Sequence, residues 1–459
     1  MVANPFKPTA GKTPPYSSDV RILADFQEGL DNGAGARHRY ARSRQALLRH
    51  STICGVPCRH PCPTPLVWGV IRQIERRAKE EIQVKYILDL RDFPDLPYAD
   101  KFVKDVNIIL NDPEVEIVVE CIGGVKPAFD FCMSCLKAGK SVVTSNKELV
   151  AARGQELLEV AKANNLNFLF EASVGGGIPI IRPLAQCMAA NEIDAVAGIL
   201  NGTTNFILTK MITENMPFDE ALQLAQNLGY AERNPTADVD GHDACRKICI
   251  LASLVLGKHV YPKDVYVEGI RNITLEDVQY ADRFNAAIKL IGMFKVMPDG
   301  KLLINVAPRM VSKTSPLAGV SDVFNAICVV GDATDEVMFY GKGAGKLPTA
   351  SAVVADVIDC VKHRVARKYL YWAPAEEGMI ADYHDERCSM YLRLCGKSTD
   401  ELMTIANELC RECIYTDGVN PDEIAIITDV ATYTEQEITA KKFLARGVNV
   451  ISAMRTLSR

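Results

Sequence analysis

The sequence predicts an α/β protein: a parallel sheet built by strand–helix alternation, an α+β region after it, and a small α+β module at the C-terminal end. Three observations carry this. The β-prone runs QVKYILDL, EVEIVVECIGG and SVVTSN alternate with helical stretches, the spacing that a parallel sheet with right-handed crossovers requires. Residues 290–340 are mainly β-prone without that alternation. Past the polar break APAEEGM, YLRLCG and EIAIITD read as strands separated by a helical segment.

Taken in order, residues 1–50 are polar, broken by Pro and Gly and locally rich in arginine (RHRYARSRQALLRH), which predicts an arm or a short helix. WGVIRQIERRAKEEI reads as a helix, and VKYILDLRDFP as the second strand of a dinucleotide-binding sheet. FVKDVNIIL is helical, EVEIVVECIGG is a strand ending in a Gly pair, and KPAFDFCMSCLKAG is a helix stopped by Gly139. Further on, RGQELLEVAKANN, IIRPLAQCMAA, FILTKMITE, DEALQLAQNLG and ACRKICILASLVLG read as helices, with LNFLFEA and AVAGIL as strands. YGKGAGKLPTASAVVADVIDCV is a glycine turn leading into an apolar helix. Ligands of such sheets bind in the loops after the strands.

Composition narrows the function classes. A chain of 459 residues accommodates two to four domains, and 48% hydrophobic with 24% charged residues is ordinary for a globular protein. A net charge of -5 gives no reason to expect nucleic acid or an anionic membrane surface. No uninterrupted apolar run reaches the ~18 residues that argue a membrane span. The N-terminus lacks the apolar core of a secretion signal, so the expected location is cytoplasmic. The fifteen cysteines are scattered through apolar segments, which favours buried free thiols over disulfides. Cys132-x-x-Cys135 and Cys410-x-x-Cys413 lie in helical stretches without a partner pair, against a metal or redox reading.

The polar loop AERNPTADVDGHD is the densest in chemistry. Glu232, Asp238, Asp240 and Asp243 crowd into it, and Lys247 follows Asp243 by one helical turn, on the same face. A lysine among carboxylates at the start of an otherwise apolar helix can donate to a developing alkoxide, and the carboxylates can bind an ammonium group. A solvated acidic loop with a surface ion pair is the alternative. Lys147, in TSNKELV, follows a strand at the ligand edge, where the alternative is a water-exposed helix start. ILNGTTNF puts Asn201, Gly202, Thr203 and Thr204 between strand and helix, suited to anion binding or simple capping. EASVGGGIP offers a carboxylate and carbonyls that suit a hard cation or only a permissive turn.

Six ordered motifs (ECIGG, TSNKELV, EASVGGGIPIIRPL, GILNGTTNFILTKM, GYAERNPTADVDGHDACRK and YGKGAGKLPTASAVVAD) together resemble homoserine dehydrogenase, which interconverts aspartate semialdehyde and homoserine with a nicotinamide cofactor. The resemblance implies a Rossmann-type domain over 68–150, to which the helix of 345–370 returns. It further implies a catalytic and dimerisation domain over 151–344, and an ACT-like module over 380–459 whose usual Asp-x-Pro-Gly turn is replaced by CGKSTDELMTIANEL. By the same resemblance Lys247 is the proton donor, Lys147 lies beside nicotinamide and substrate, and Glu232, Asp238, Asp243, Gly202 and Thr203 surround the substrate. Arg91, Gly123 and Gly345 contact the cofactor, and Glu171, Val174, Gly176 and Ile178 hold a sodium or potassium ion. Arg91 after Asp89 favours NADP over NAD, since an arginine there suits a 2'-phosphate. The expected assembly is a homodimer or homotetramer, with a small-molecule substrate in threonine, methionine and isoleucine biosynthesis.

The resemblance stops before residue 81. A glycine fingerprint should follow the first strand, but CGVPCRHPCPTPLVWGV stands there, and Pro57, Pro61, Pro63 and Pro65 lack the amides that cradle a phosphate. Cys54, Cys58, His60 and Cys62 have zinc-ligand chemistry in an unfamiliar spacing. Residues 1–67 are therefore read as an atypical segment. Two other readings stand beside the dehydrogenase: an impaired homologue with weak cofactor binding, or an amino-acid-sensing regulatory protein working through the C-terminal module.

Overall fold

The structure, a computed structural model, describes residues 18–24 (backbone), 70, 82–96, 98–366, 368 and 370–457. The cysteine–proline stretch with its zinc-type residues, and nearly all of the helix expected at WGVIRQIERRAKEEI, lie outside the described residues.

The first sheet contains β1 (Ser18–Ala24), β2 (Ile82–Leu88), β3 (Phe102–Val103), β4 (Val115–Cys121), β5 (Ser141–Thr144) and β6 (Phe168–Leu169), in the order β3-β2-β1-β4-β5-β6. Every pairing is parallel. This is the doubly wound order of a Rossmann-type dinucleotide-binding domain, with its switch point between β1 and β4. One expectation is corrected here. SDVRILA, read from sequence within an arm or short helix, is the central strand, with Val20 in register with Val84 on one side and Ile117 on the other. A short β-prone run in a polar context is ambiguous alone; pairing on both edges decides its conformation.

Helices α1 (Val106–Leu110), α2 (Lys126–Lys137) and α3 (Lys147–Ala163) complete this layer. α2 has a proline in its first turn and buries Ala128, Cys132, Cys135 and Leu136 against β4 and β5. Its two cysteines are therefore core thiols, and burial holds both away from solvent. α3 is capped by Asn146, whose side chain accepts from Leu149 N, so that Lys147 becomes its first residue.

The second sheet uses β7 (Ile193–Ile199), β8 (Tyr266–Val267), β9 (Ala286–Val296), β10 (Leu302–Ser312), β11 (Phe324–Gly331) and β12 (Asp335–Lys342). The C-terminal region adds β13 (Arg387–Cys388), β14 (Met390–Cys395), β15 (Ile414–Asp417), β16 (Glu423–Ile427), β17 (Ala431–Thr432) and β18 (Asn449–Thr456). The order is β12-β11-β7-β9-β10-β18-β14-β16-β15, with β8 also on β10 and a separate β13–β17 ribbon. The C-terminal module thus continues the sheet of the catalytic region: β18 pairs parallel with β10, Arg309 opposite Arg455.

Between these strands run α4 (Gly202–Glu214), α5 (Phe218–Asn227), α6 (Thr236–Val239), α7 (His242–Leu256) and α8 (Leu275–Arg283). α4, α7 and α8 pack on β9, while α9 (Lys346–Lys362) returns to β4 and β5 of the first sheet. α10 (Thr399–Leu409) and α11 (Tyr433–Ala445), each started by a capping box, pack on β16 and β18. Among the described residues no helix is long and apolar enough to cross a membrane.

Candidate active site

The site forms where α3 and α7 pack together. Gly241 makes it local: its φ of +84° turns the chain into α7, and a Cβ there would lie 3.0 Å from Val267 Cγ1. Asp243 and Lys247 follow one turn apart, both almost fully buried at 3% and 6% exposure. Lys247 Nζ donates to Asp243 Oδ2 at 2.7 Å and to the Leu200 carbonyl at 2.7 Å. The other oxygen, Asp243 Oδ1, lies 2.6 Å from Lys147 Nζ at the start of α3. Asn201, the N-cap of α4, donates to Asp243 Oδ2 at 2.9 Å and to Asp238 Oδ1 at 2.7 Å, while its own oxygen accepts from Thr204 N at 2.8 Å.

These placements fix the charges. Burial alone would raise the Asp243 pKa, but the Lys247 and Lys147 charges override it and hold the carboxyl well below its usual range. Lys247 is shifted down, because burial outweighs the attraction of Asp243 and the Lys147 charge repels its proton. Lys147 is shifted up, chiefly by the Asp243 charge. Burial and the neighbouring Asp243 charge raise Asp238. The result is an ionised carboxylate held between two amines, one of which, Lys247, is the easier to deprotonate. A buried amine so placed can donate a proton to an oxygen on which charge develops.

Of the other sequence-predicted residues, Gly202 opens α4, where a Cβ would lie 2.8 Å from the Val323 carbonyl, and Thr203 Oγ1 donates to Tyr230 O at 2.6 Å. Glu232 is exposed and joins no hydrogen bond with the lysines through its side chain; its carbonyl accepts from Gln226. Asp240 turns away to pair with Arg271. The acidic cluster therefore divides: Asp238 and Asp243 face the lysines, while Asp240 and Glu232 do not.

Of the cofactor candidates, Gly123 and Arg91 follow strands of the first sheet, and Gly345 follows β12 of the second. Gly123 and Gly124 follow β4 with φ of +85° and +63°, and no atom beyond the adjoining residues lies within 4 Å of where either Cβ would be. This open turn at the switch-point edge fits a nicotinamide nucleotide. After β2, Asp89 is buried and bound by Arg91, through Nε at 3.1 Å and Nη2 at 2.9 Å. Gly345 is the N-cap of α9, with φ of +122°. Its loop packs directly on the 171–178 loop: Gly177 N donates to Lys342 O at 3.0 Å, and a Cβ on Gly176 would lie 2.3 Å from the Gly343 carbonyl.

Glu171, expected at a cation site, has a carboxylate occupied by three amides, those of Ile180 and Ile181 on Oε1 and that of Arg182 on Oε2. Among the described residues no group of three or more His, Cys, Asp or Glu side chains could hold a metal ion. Sequence reasoning missed Asn201 as the donor shared by both carboxylates, although its position before Gly202 at a strand–helix junction is an N-cap signal.

Two family models match the chain: "Homoserine dehydrogenase, NAD binding domain" over residues 68–171 and "Homoserine dehydrogenase" over residues 179–358. A homoserine dehydrogenase of Neisseria gonorrhoeae is 35% identical over 392 residues, covering 83% of this chain and 90% of that protein. One from Synechocystis is 48% identical over 264 residues, covering 56% of this chain, and the match spans only 60% of the relative's length. Among solved structures, a homoserine dehydrogenase from Thiobacillus denitrificans superposes with a TM-score of 0.78 at 30% identity, covering 96% of this chain and 98% of that one.

Proposed function

Because the chain belongs to the homoserine dehydrogenase family, we propose that it catalyses the NAD(P)H-dependent reduction of L-aspartate 4-semialdehyde to L-homoserine, an oxidoreductase step of amino-acid biosynthesis leading to threonine, methionine and isoleucine. The observation that carries this reading is the sharing of Asp243 by Lys147 and Lys247, beside the open turn at Gly123.

The nicotinamide, when bound, supplies the hydride to the aldehyde carbon. Lys247, whose ammonium is destabilised by burial, gives its proton to the aldehyde oxygen as charge develops there. Lys147, half exposed and firmly protonated, orients the carbonyl from the cofactor side. Asp243 keeps both amines in place, and Asp238 with Asp243 offers carboxylate oxygens to the substrate ammonium. Gly202 and Thr203 form the facing wall, and Glu232, on the exposed loop, is a further carboxylate for the substrate ammonium. Holding donor, acceptor and hydride source together is the main contribution of the protein.

Three finer readings accompany it. Arg91, with part of its guanidinium exposed, favours the 2'-phosphate of NADPH, since Asp89 is already bound by it and is less free to accept ribose hydroxyls. Gly123, Gly345 and Lys147 border the same cofactor. A sodium or potassium ion in the 171–178 loop would be held by the main-chain carbonyls of Glu171, Val174, Gly176 and Ile178, because the Glu171 carboxylate is engaged by amides. We further propose a cytoplasmic homodimer or homotetramer with an ACT-like C-terminal module.

The test is a titration of the full chain with NADPH, followed by nicotinamide fluorescence, and then turnover of aspartate semialdehyde. Binding with turnover supports the reading. Absence of binding at millimolar nucleotide overturns it for this chain.

A further inference from the structure

Glu120 lies at the end of β4, inside the apolar core of the first sheet, with its side chain fully buried. Among the described residues no lysine, arginine or histidine forms an ion pair with it. A buried carboxylate without a counter-charge is costly, and burial pushes its pKa up against the hydrogen bonds that it accepts. Those bonds show what the group holds. Oε1 accepts from the amides of Ile122 and Gly123, the latter at 3.2 Å, which fixes the turn into the two glycines of positive φ. Oε2 accepts from the Thr144 hydroxyl at the end of β5.

The chain of contacts continues to the lysine. Thr144 Oγ1 accepts from Asn146 N at 2.9 Å, and Asn146 Nδ2 donates back to the Gly124 carbonyl at 2.7 Å. Asn146 Oδ1 caps α3 through Leu149 N at 3.0 Å, and α3 begins with Lys147. Glu120 therefore touches, directly or through two short side chains, both the open glycine turn and the helix start that presents Lys147 to Asp243.

We propose that Glu120 is a positioning residue of the dehydrogenase site, which sets the Gly123–Gly124 turn and, through Thr144 and Asn146, the Lys147 ammonium. This rests on the dehydrogenase reading above. The carboxyl takes two amides on one oxygen and the Thr144 hydroxyl on the other. Glutamine could keep both amides on its oxygen only by turning its NH2 toward Thr144 Oγ1, which reverses that hydrogen bond and sends the hydroxyl proton to another acceptor. An apolar residue would leave all three donors unmet.

The test compares Glu120→Gln, Thr144→Val and Thr144→Ser in the full chain. Expected for Glu120→Gln is a ten- to hundred-fold fall in kcat/KM for the semialdehyde, with nucleotide Kd weakened and the folded circular-dichroism spectrum retained. Thr144→Val should lower kcat while changing nucleotide Kd less, and Thr144→Ser, which keeps the hydroxyl, should restore kcat. In a Lys147→Ala background, Glu120→Gln should lower kcat much less than it does alone, because the two changes act through the same group. Amide hydrogen exchange at Gly123 and Gly124, and nucleotide Kd, do not require turnover, so they test the proposal even if the wild type proves inactive on semialdehyde. Unchanged exchange and unchanged Kd in Glu120→Gln would overturn it, as would full additivity with Lys147→Ala.

Discussion

Lys147 and Lys247 are held on opposite oxygens of one carboxylate: Asp243 meets Lys147 Nζ at 2.6 Å and Lys247 Nζ at 2.7 Å. The two amines are therefore not equivalent, for Lys147 is half exposed and shifted up while Lys247 is buried and shifted down. A proton donor that is destabilised as an ammonium, beside a permanent cation, is suited to an aldehyde oxygen that gains charge as hydride arrives.

A pH prediction follows from that asymmetry. In the proposed reaction semialdehyde reduction uses protonated Lys247, so its rate should fall as pH rises through the lowered pKa of this group, while homoserine oxidation, which would use the free amine, should rise over the same range. Asp243→Asn removes the attraction that partly offsets burial, so both limbs should move to lower pH. Lys247→Met should reduce kcat by roughly 100- to 10,000-fold, the range of general acid catalysis, with nucleotide binding retained. Steady-state pH profiles in both directions check this; a reductive limb unmoved in Asp243→Asn would remove Lys247 from the donor role.

Cofactor preference is tested at Arg91. The guanidinium holds Asp89 by two contacts and stacks over Phe93, 5.2 Å from its ring centre. Arg91→Ala should raise KM for NADPH by about ten-fold or more, the loss of one charge-assisted contact, and leave NADH less affected. It also frees Asp89 to accept ribose hydroxyls, so the NADPH to NADH ratio should fall from both sides. Parallel titrations with the two nucleotides measure it, and an unchanged ratio would count against an NADPH preference set here.

Much of this architecture was readable before the fold. Asp243 and Lys247 share a helical face by spacing, and Lys147 follows a strand at the ligand edge. The meeting of Lys147 with Asp243 was not readable from the residues themselves, because it depends on two helices from different parts of the chain packing at their starts. The strand Ser18–Ala24 was missed because its neighbours in sequence are polar, whereas its neighbours in space are two parallel strands. Nothing in the sequence marks Arg455 as a core residue, and it is 2% exposed, since β18 lies inside the sheet between β10 and β14. What sequence withholds in each case is the long-range partner.

The 171–178 loop separates carboxylate from carbonyl chemistry. Glu171→Gln replaces one acceptor oxygen by a donor facing main-chain amides, which should cost about 2 kcal/mol of stability. The proposed cation ligands are carbonyls, so exchange of sodium or potassium for choline should shift the melting temperature of the wild type and of Glu171→Gln in the same direction. A shift in the wild type that vanished in Glu171→Gln would mean that the carboxylate itself ligates the ion.

Lys289 supplies a stability signature. It is 2% exposed on β9, donates to Val320 O at 2.6 Å and Asn205 Oδ1 at 3.2 Å, and burial lowers its pKa to about 8. The unfolded chain keeps this proton up to the ordinary lysine value, so between the two pKa values the unfolded state binds more protons and stability rises with pH. The penalty is fully present below about 8 and is lost towards pH ~10.5. Relative to Lys289→Met, the wild type should gain about 2 kcal/mol between pH ~7.5 and ~10. Urea unfolding at both pH values reads the difference, and a pH-independent gap would show that the lysine titrates normally.

The joint between the catalytic region and the C-terminal module rests on Glu386. Its carboxylate takes Arg309 at 2.6 Å, Arg455 Nε at 3.2 Å and Asn305 Nδ2 at 3.0 Å, and both guanidinium groups are almost completely buried. Arg455 also stacks on Tyr433, 4.0 Å from the ring centre, and reaches Glu268 at 3.4 Å. Arg309 and Arg455 stand opposite each other on β10 and β18, so their like charges are tolerated only with the carboxylate between them. Glu386→Gln keeps the shape and removes the charge, which leaves two buried cations with the half-exposed Glu268 as compensation. The expected loss is about 3–5 kcal/mol, the cost of breaking a buried pair from one side. Because β18 completes one continuous sheet, the loss should appear in a single unfolding transition of the whole catalytic region. Separate melting of the module in Glu386→Gln would show instead that the sheet is continuous in geometry but not in cooperativity.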